Sequence, residues 1–321
     1  MRMKNIILAL ATPVVGSLVF PSLALAQSAP ARADAARGTT TQAPAAAQQI
    51  APAPGEEAPK LPGDADYGVQ KIVVRRSNWE PWQAGAFAGM SYSTNPALLP
   101  DNGKDDFYFR GGAYVNYTPQ ITGNWFADIG LSQSFYNYDK LDALDFAQTY
   151  ASAGVLYATP ADAPALIRNT VATLRYRFEN LTDVDNLSDD FFTDHSIQLG
   201  AQRTFRISRG HRAYVGVSGS WSVDASVDSA ARDEYAALFG YRIEWTPEFS
   251  TSADVRSAIY DYRDADRLDW NNILSVSAEY KFTEWASLGA NFGWIFNSSD
   301  ESVFDYNSGD IGAMVNLSIR F

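Results

Sequence analysis

The sequence contains no cysteine, which excludes disulfide bonds, thiolate nucleophiles and cysteine metal sites. Histidine is nearly absent too, since the chain holds only His195 and His211. Beyond the first 26 residues, no stretch approaches the roughly 20 apolar residues that a spanning helix needs. If this chain sits in a membrane, it must do so as a closed β-barrel, because only helices and closed barrels satisfy every backbone polar group there.

The chain also lacks a cluster of basic residues, and its formal net charge is −12. Removal of the first 26 residues, which hold two basic and no acidic residues, would leave 23 basic and 37 acidic residues and a net charge of −14. An acidic chain without a basic cluster argues against nucleic-acid binding. No glycine-rich phosphate loop or metal-ligand spacing is present, so we expect no cofactor and no resident metal.

Residues 1–26 have the pattern of a cleavable secretory signal peptide. A basic start precedes an apolar run from Ile6 to Leu25, and the run ends in the small-x-small sequence Ala24–Ala26. The alternative is a retained membrane anchor, but Pro13 and Pro21 interrupt the run. We therefore predict an exported protein.

Residues 27–70 are rich in alanine, proline, glutamine and threonine. Such a composition cannot bury a core, so we predict a disordered linker in the periplasm. This leader is either a spacer that reaches peptidoglycan or a periplasmic partner, or a passive segment without a partner.

The last twelve residues alternate without a break between apolar and polar side chains. Successive strand side chains point to opposite faces, so this strand separates an apolar medium from a polar one. A water-soluble sandwich is the alternative environment for one such strand. The apolar face comprises Ile311, Ala313, Val315, Leu317, Ile319 and Phe321.

Residues 79–321 continue as strand, connector and strand, with aromatic residues at both ends of several apolar faces. About twelve strands are predicted, with 10–14 possible, each about long enough to cross a bilayer at a tilt. Arg203 falls on an apolar face, so it lies either near the lipid headgroups or in a strand whose register is shifted. The predicted strands lie near 82–93, 106–118, 124–138, 147–158, 166–178, 195–207, 212–223, 234–246, 251–261, 271–282, 286–297 and 309–321.

The connectors alternate between short turns and longer acidic loops. Short turns are expected at 118–123, 159–164, 208–211, 246–249 and 283–285, and longer loops at 93–105, 139–146, 179–194, 224–233, 262–270 and 298–308. Short periplasmic turns and longer external loops are the asymmetry of outer-membrane barrels. This asymmetry and the even strand count both place the amino and carboxyl termini in the periplasm.

Together, the export signal, the alternation, the turn asymmetry and the final strand ending in Phe321 resemble bacterial outer-membrane β-barrels of the porin-like kind. The resemblance implies an all-β fold, a transmembrane antiparallel up-and-down barrel. It also implies that the strand ending in Phe321 is an assembly signal read by the barrel-assembly machinery. The other expected partners are outer-membrane lipid and lipopolysaccharide.

Charged side chains on the polar faces are the candidates for the lumen. Mixed charges in a narrow barrel either line an aqueous path and bias its ion selectivity, or pair across the barrel and close it. Both alternatives stay open. The candidates are Arg110, Asp128, Arg175, Arg177, Arg206, Arg212, Arg242, Glu244, Asp254, Arg256, Glu279, Lys281 and Arg320.

Three functions follow from these patterns. The first is a passive or weakly cation-selective channel for small hydrophilic solutes, and the second is a structural or adhesive surface scaffold with a plugged barrel. The third, with least support, is a hydrolase at the external rim that uses His195. Adjacent strand residues face opposite ways, so His195 and Ser196 cannot simply face each other. Clustered carboxylates such as Asp183 and Asp185 have the oxygen ligands that calcium and magnesium prefer, but solvated loops that keep the protein soluble are the favoured interpretation.

Overall fold

The computed structural model describes residues 80–101, 103–160 and 162–321. The predicted signal peptide (1–26) and linker (27–70) lie outside these residues. The described chain forms twelve long antiparallel strands and one strand of three residues. The strands are β1 Trp82–Ser93, β2 Asp106–Tyr117, β3 Gln120–Thr122, β4 Trp125–Tyr138, β5 Phe146–Ala158, β6 Thr170–Thr182, β7 Asp190–Ser208, β8 His211–Ala225, β9 Asp233–Glu244, β10 Phe249–Tyr262, β11 Arg267–Lys281, β12 Ala286–Ser299 and β13 Tyr306–Arg320.

The sheet closes on itself to form the predicted up-and-down barrel. Each long strand pairs with its neighbours in sequence, and β2 pairs with β4 because the short β3 only flanks the start of β4. The first strand pairs with the last in a register that runs from Gln83 opposite Arg320 to Ser93 opposite Asp310. Closure pairs each long strand of the described ranges on both sides, as a membrane requires. No helix in the described ranges has both the length and the apolar character needed to span a membrane.

The two faces of the wall differ in polarity as the alternation predicts. Along β9, Tyr235 and Phe239 point outward and are about half exposed, whereas Glu234 and Gly240 point inward. The outward face of the last strand exposes Ile311, along with the other apolar residues of its alternation. A continuous exposed apolar surface is unstable in water and stable in lipid. This surface excludes the water-soluble sandwich.

The barrel has two distinct ends. Its terminal end holds both ends of the barrel chain and the connectors 118–124, 159–169, 209–210, 245–248 and 282–285. Its loop end holds the connectors 94–105, 139–145, 183–189, 226–232, 263–266 and 300–305. Four of the loop-end connectors contain short 3-10 turns, at Asp142–Leu144, Asp228–Ala230, Arg263–Ala265 and Ser302–Phe304.

The predicted strand near 166–178 begins and ends four residues too early, because β6 spans Thr170–Thr182. The backbone N–H groups of Ile167 and Arg168 both donate to the carbonyl of Pro164 at 3.0 Å, which makes a turn there. Asn169 then adopts a left-handed backbone with φ of 58°. Leu166 resembles a strand residue in the sequence but is 80% exposed in this turn.

The predicted contrast in connector length is weaker in the structure. The loop expected at 179–194 shrinks to 183–189 because β6 and β7 keep pairing beyond the apolar band. Asn180 helps to hold this extension, since its amide donates to Asp190 at 3.0 Å and to Thr193 at 2.9 Å. The turn expected at 159–164 instead extends to residue 169. Polar side chains that bond between strands continue the ladder, and the apolar pattern cannot predict that.

Arg203 faces outward near the terminal end. Its guanidinium donates to the carbonyls of Ala165 and Leu166 and lies 4.5 Å from the centre of the Phe205 ring. β7 pairs regularly at this residue, with Thr170 on one side and Val215 on the other. Of the two explanations offered for this arginine, a position near the end of the barrel fits the structure and a shifted register does not.

Candidate functional site

A cavity of about 1320 Å³ occupies the inside of the barrel, lined by charged and polar side chains together with apolar ones. At the terminal end its wall includes Glu80, Glu284 and Arg320. Farther in, the wall reaches Tyr136 and Gln148. The cavity exists because inward positions along many strands carry serine, glycine or alanine, which leave the space between the charged side chains unfilled.

Eight of the thirteen predicted lumen residues line this cavity. They are Arg110, Arg175, Arg177, Arg242, Arg256, Glu279, Lys281 and Arg320. Asp128 and Asp254 point inward but are buried in the wall, at 9% and 4% exposure. Arg206, Arg212 and Glu244 lie where β7, β8 and β9 meet the terminal end, outside the cavity lining.

Most of the arginines in the wall have a carboxylate beside them. Arg175 lies 2.9 Å from Asp128, and Arg242 lies 3.1 Å from Glu279. The carboxylate of Glu234, which the list of lumen candidates omitted, lies 2.5 Å from Arg256. Pairing offsets much of the cost of removing these charges from water. In the alternating pattern of β9, Glu234 falls on the inward face opposite to Tyr235. The sequence therefore contains the information needed to predict Glu234 as a lumen residue.

The loop end of the barrel is filled by side chains. Inward residues at this level are almost wholly buried, including Tyr108 at 3%, Phe146 at 1% and Phe192 at 4%. The rings of Tyr136 and Phe146 stack with their centroids 4.3 Å apart. These wall residues form one cluster with residues from the connectors. The cluster comprises Tyr108, Tyr136, Tyr138, Leu144, Phe146, Leu181, Phe192 and Ala230, with Ala97, Leu141, Phe191, Ala225 and Val227 packed against it.

Two arginines complete this filling. Arg232, at the end of connector 226–232, lies 3.9 Å from the centre of the Tyr260 ring and donates to the hydroxyl of Tyr262 at 3.0 Å. Arg267 lies 3.7 Å from the ring centre of Tyr262 and 3.8 Å from that of Phe304. Cation–π contacts of this kind are strongest where water is excluded. The cavity therefore opens toward the terminal end and is closed at the loop end.

The histidines lie away from the cavity. Ser196 points inward, is 1% exposed and accepts a hydrogen bond from Arg177, whereas His195 bonds the hydroxyl of Tyr176, a partly exposed residue of the outer face. His195 and Ser196 therefore face opposite sides of the wall, as strand geometry requires. His211 bonds Tyr241 at the terminal end.

The acidic loop residues form local turns. Asp183 accepts the backbone N–H groups of Asp185 and Asn186, at 2.7 and 3.3 Å. Within the described ranges, no three His, Asp or Glu side chains are grouped so that they could hold a metal ion. These carboxylates therefore act as turn acceptors and surface charges in this structure.

No family model and no curated protein matches this chain. A solved outer-membrane channel from Pseudomonas putida F1 superimposes with a TM-score of 0.51 at 12% identity, and the match covers 77% of this chain and 100% of that one. The KdgM porin matches with a TM-score of 0.41 at 6% identity over 72% of this chain and 97% of that one. An anion-selective porin from Comamonas acidovorans matches with a TM-score of 0.37 at 9% identity over 74% and 98%.

The likeness to the Pseudomonas putida channel is a likeness of fold. Together with the closed twelve-strand barrel and its apolar outer surface, it defines the class of protein: the chain has the fold of the porin-like outer-membrane β-barrels.

Proposed function

We propose that this protein is an outer-membrane channel for small hydrophilic solutes. The observation that carries the proposal is the cavity of about 1320 Å³, with charged and polar side chains in its wall, that runs inward from the terminal end. A barrel that served only as an anchor would not need a water-accessible interior lined by arginine, glutamate and glutamine. The likeness of the fold to a known outer-membrane channel supports the proposal.

The orientation that we propose places the terminal end in the periplasm and the loop end outside the cell. The leader would then lie in the periplasm, where residues 27–70 can reach peptidoglycan or another partner. The apolar outer face would contact outer-membrane lipid, and the loop-end carboxylates would lie at the lipopolysaccharide surface. The assembly machinery would engage the strand that ends in Phe321.

We propose only weak ion selectivity, biased toward cations. Most arginines of the cavity wall are paired with carboxylates, so the fields of these pairs largely cancel over longer distances. The six loop-end connectors contain fourteen acidic and four basic residues, an excess that attracts cations to the loop end of the barrel. The remaining bias of the pore would come from this excess.

The surface scaffold is the second candidate because the loop end is filled. A permanently closed barrel would hold its acidic connectors at the cell surface and conduct nothing. The rim hydrolase has the least support, since His195 points away from both Ser196 and the cavity. A nucleophile from another strand would be required, and the contacts of His195 single out none.

Measuring the conductance of the refolded mature protein in a planar bilayer distinguishes the channel from the surface scaffold. Discrete current steps, with a reversal potential shifted toward the cation in a salt gradient, are the expected result. Folding would be confirmed by a heat-dependent shift in gel migration. Silent insertion of folded barrels would overturn the channel and support the scaffold.

A further inference from the structure

One arginine at the deep end of the cavity has incomplete hydrogen bonding. Arg177 lines the cavity, and its Nε donates to Ser196 at 3.1 Å. Its Nη2 lies 3.9 Å from the nearest oxygens of Glu179 and Asp194, which is beyond hydrogen-bonding distance. Within the described part of the chain, no hydrogen bond engages the two terminal nitrogens of Arg177, and these nitrogens form the fork that suits a carboxylate.

The two nearby carboxylates are held away from Arg177 by other partners. Glu179 accepts a hydrogen bond from the amide of Gln148 at 2.7 Å. Asp194 accepts one from the hydroxyl of Ser222 at 2.5 Å. Both acids are almost fully buried, at 3% and 6% exposure, and neither lines the cavity. Their negative charges offset the charge of Arg177 from within the wall. The side of the guanidinium that faces the cavity stays accessible to a solute.

An acceptor lies near this arginine. Glu234 lines the same cavity, and its charge interacts electrostatically with Arg256, with Arg232 and, most weakly of the three, with Arg177. One oxygen of Glu234 accepts the hydrogen bond of Arg256 at 2.5 Å, while none of the hydrogen bonds in the described chain uses its second oxygen, Oε2. The deep end therefore presents a guanidinium donor and a carboxylate acceptor to the same space.

We propose that this deep end is a binding site for a small solute that carries a carboxylate at one end and a hydrogen-bond donor at the other. The carboxylate would accept two hydrogen bonds from Arg177, and an ammonium or hydroxyl group would donate to Glu234. The site deepens the proposed channel function and rests on it, because the solute must be one that enters this cavity. Charge-assisted hydrogen bonds are the stronger kind, so Arg177 would dominate the affinity.

The test is ligand-observed NMR with the folded barrel in detergent micelles. The probes are glycine, which adds an ammonium to the carboxylate, glycolate, which adds a hydroxyl, and acetate, which has the carboxylate alone. Wild-type barrel should bind glycine or glycolate more tightly than acetate, and the better of the two identifies the donor. Arg177→Gln should weaken the binding of all three probes roughly tenfold or more, and Glu234→Gln should reduce the better probe to the level of acetate.

Arg242→Gln is the matched control. Arg242 lines the same cavity nearer the terminal end, and its guanidinium is already bonded to Glu279 at 3.1 Å and to Ser250 at 2.8 Å. Arg242→Gln removes one positive charge from the cavity wall, as Arg177→Gln does. Equal binding by wild type and Arg177→Gln would overturn the site, as would an equal loss in Arg242→Gln. If Arg177→Gln fails to fold, Arg177→Lys keeps the charge without the fork and should still lose affinity. Unchanged binding in the lysine variant would then overturn the site.

These measurements need no ionic current. A barrel that conducts but binds none of the probes would refute the site and leave the channel proposal intact. A barrel that binds the probes through Arg177 but never conducts would refute the channel and leave the site intact.

Discussion

Trp82 and Phe321 bind each other at the seam where the barrel closes. The backbone N–H of each residue donates to the carbonyl of the other at 3.1 Å. Their rings are nearly parallel, with centroids 6.3 Å apart and planes inclined by 6°. The terminal residue therefore completes the pairing of the last strand with the first strand.

Deletion of Phe321 should impair closure of the barrel. It removes two backbone hydrogen bonds and one ring stack, which together contribute about 2–4 kcal/mol. The measurement is the fraction of refolded protein that shows heat-dependent gel migration. Phe321→Tyr, which keeps the backbone bonds and the ring, is the control and should refold like wild type. Equal refolding of the deletion variant and the control would contradict this role.

Arg232→Ala should loosen the filling of the loop end. The guanidinium contacts Tyr260 and Tyr262, and the preceding residues of connector 226–232 pack into the aromatic cluster. Loss of these contacts should raise the mean single-channel conductance or the frequency of openings in a planar bilayer. Arg168→Ala is the control, since Arg168 lies in a terminal-end connector and its guanidinium donates to the local carbonyl of Ala163. An identical current record for both variants would show that Arg232 does not hold the barrel closed.

The ion pair between Arg256 and Glu234 should contribute far more to stability than the pair between Arg212 and Glu244. The first pair is about 19% and 14% exposed, and the second about 44% and 38% exposed. Arg256→Gln leaves a largely buried carboxylate without its hydrogen-bonded ion-pair partner, which should cost about 3–5 kcal/mol. Arg212→Gln should cost at most about 1 kcal/mol. Urea unfolding in lipid vesicles measures both, and equal losses would contradict the comparison.

Arg242→Ala should make the pore more cation-selective. Arg242 offsets the charge of Glu279 at 3.1 Å, and its removal leaves that carboxylate exposed to the solution in the cavity. The reversal potential in a salt gradient should move further toward the cation value. Lys104→Ala, a change of the same charge in a loop-end connector, is the control for long-range effects. A larger shift in Lys104→Ala than in Arg242→Ala would contradict this prediction and place the selectivity at the loop end.

Alternation was sufficient to predict the barrel because the outward half of each strand faces a single apolar medium. The pattern located all twelve long strands to within five residues at each end. It placed the start of β6 too early, because Leu166 and Ile167 have strand-like side chains but the carbonyl of Pro164 accepts two local N–H groups. It also missed β3, since three residues between Thr118 and Gly123 are too few to show a period.

Alternation likewise predicted one property of the cavity residues and not another. Parity placed the inward arginines correctly as residues of one face, but it carries no information on depth along the barrel. Arg177 and Arg206 are both inward residues in the sequence pattern, yet only Arg177 lines the cavity, because Arg206 lies where β7 meets the terminal end. The strand register decides which inward residues meet in space, and pairs such as Arg256 and Glu234, which are 22 positions apart, depend on it.

The sequence by itself determined the class of this protein, because an unbroken two-residue period with an apolar outward face is compatible with little besides a barrel in lipid. The tertiary structure alone decided that the interior opens at one end and is filled at the other. That outcome depends on connectors 94–105, 139–145 and 226–232 packing apolar residues against inward aromatics from distant strands. Such contacts join residues far apart in the chain, so no local pattern records them.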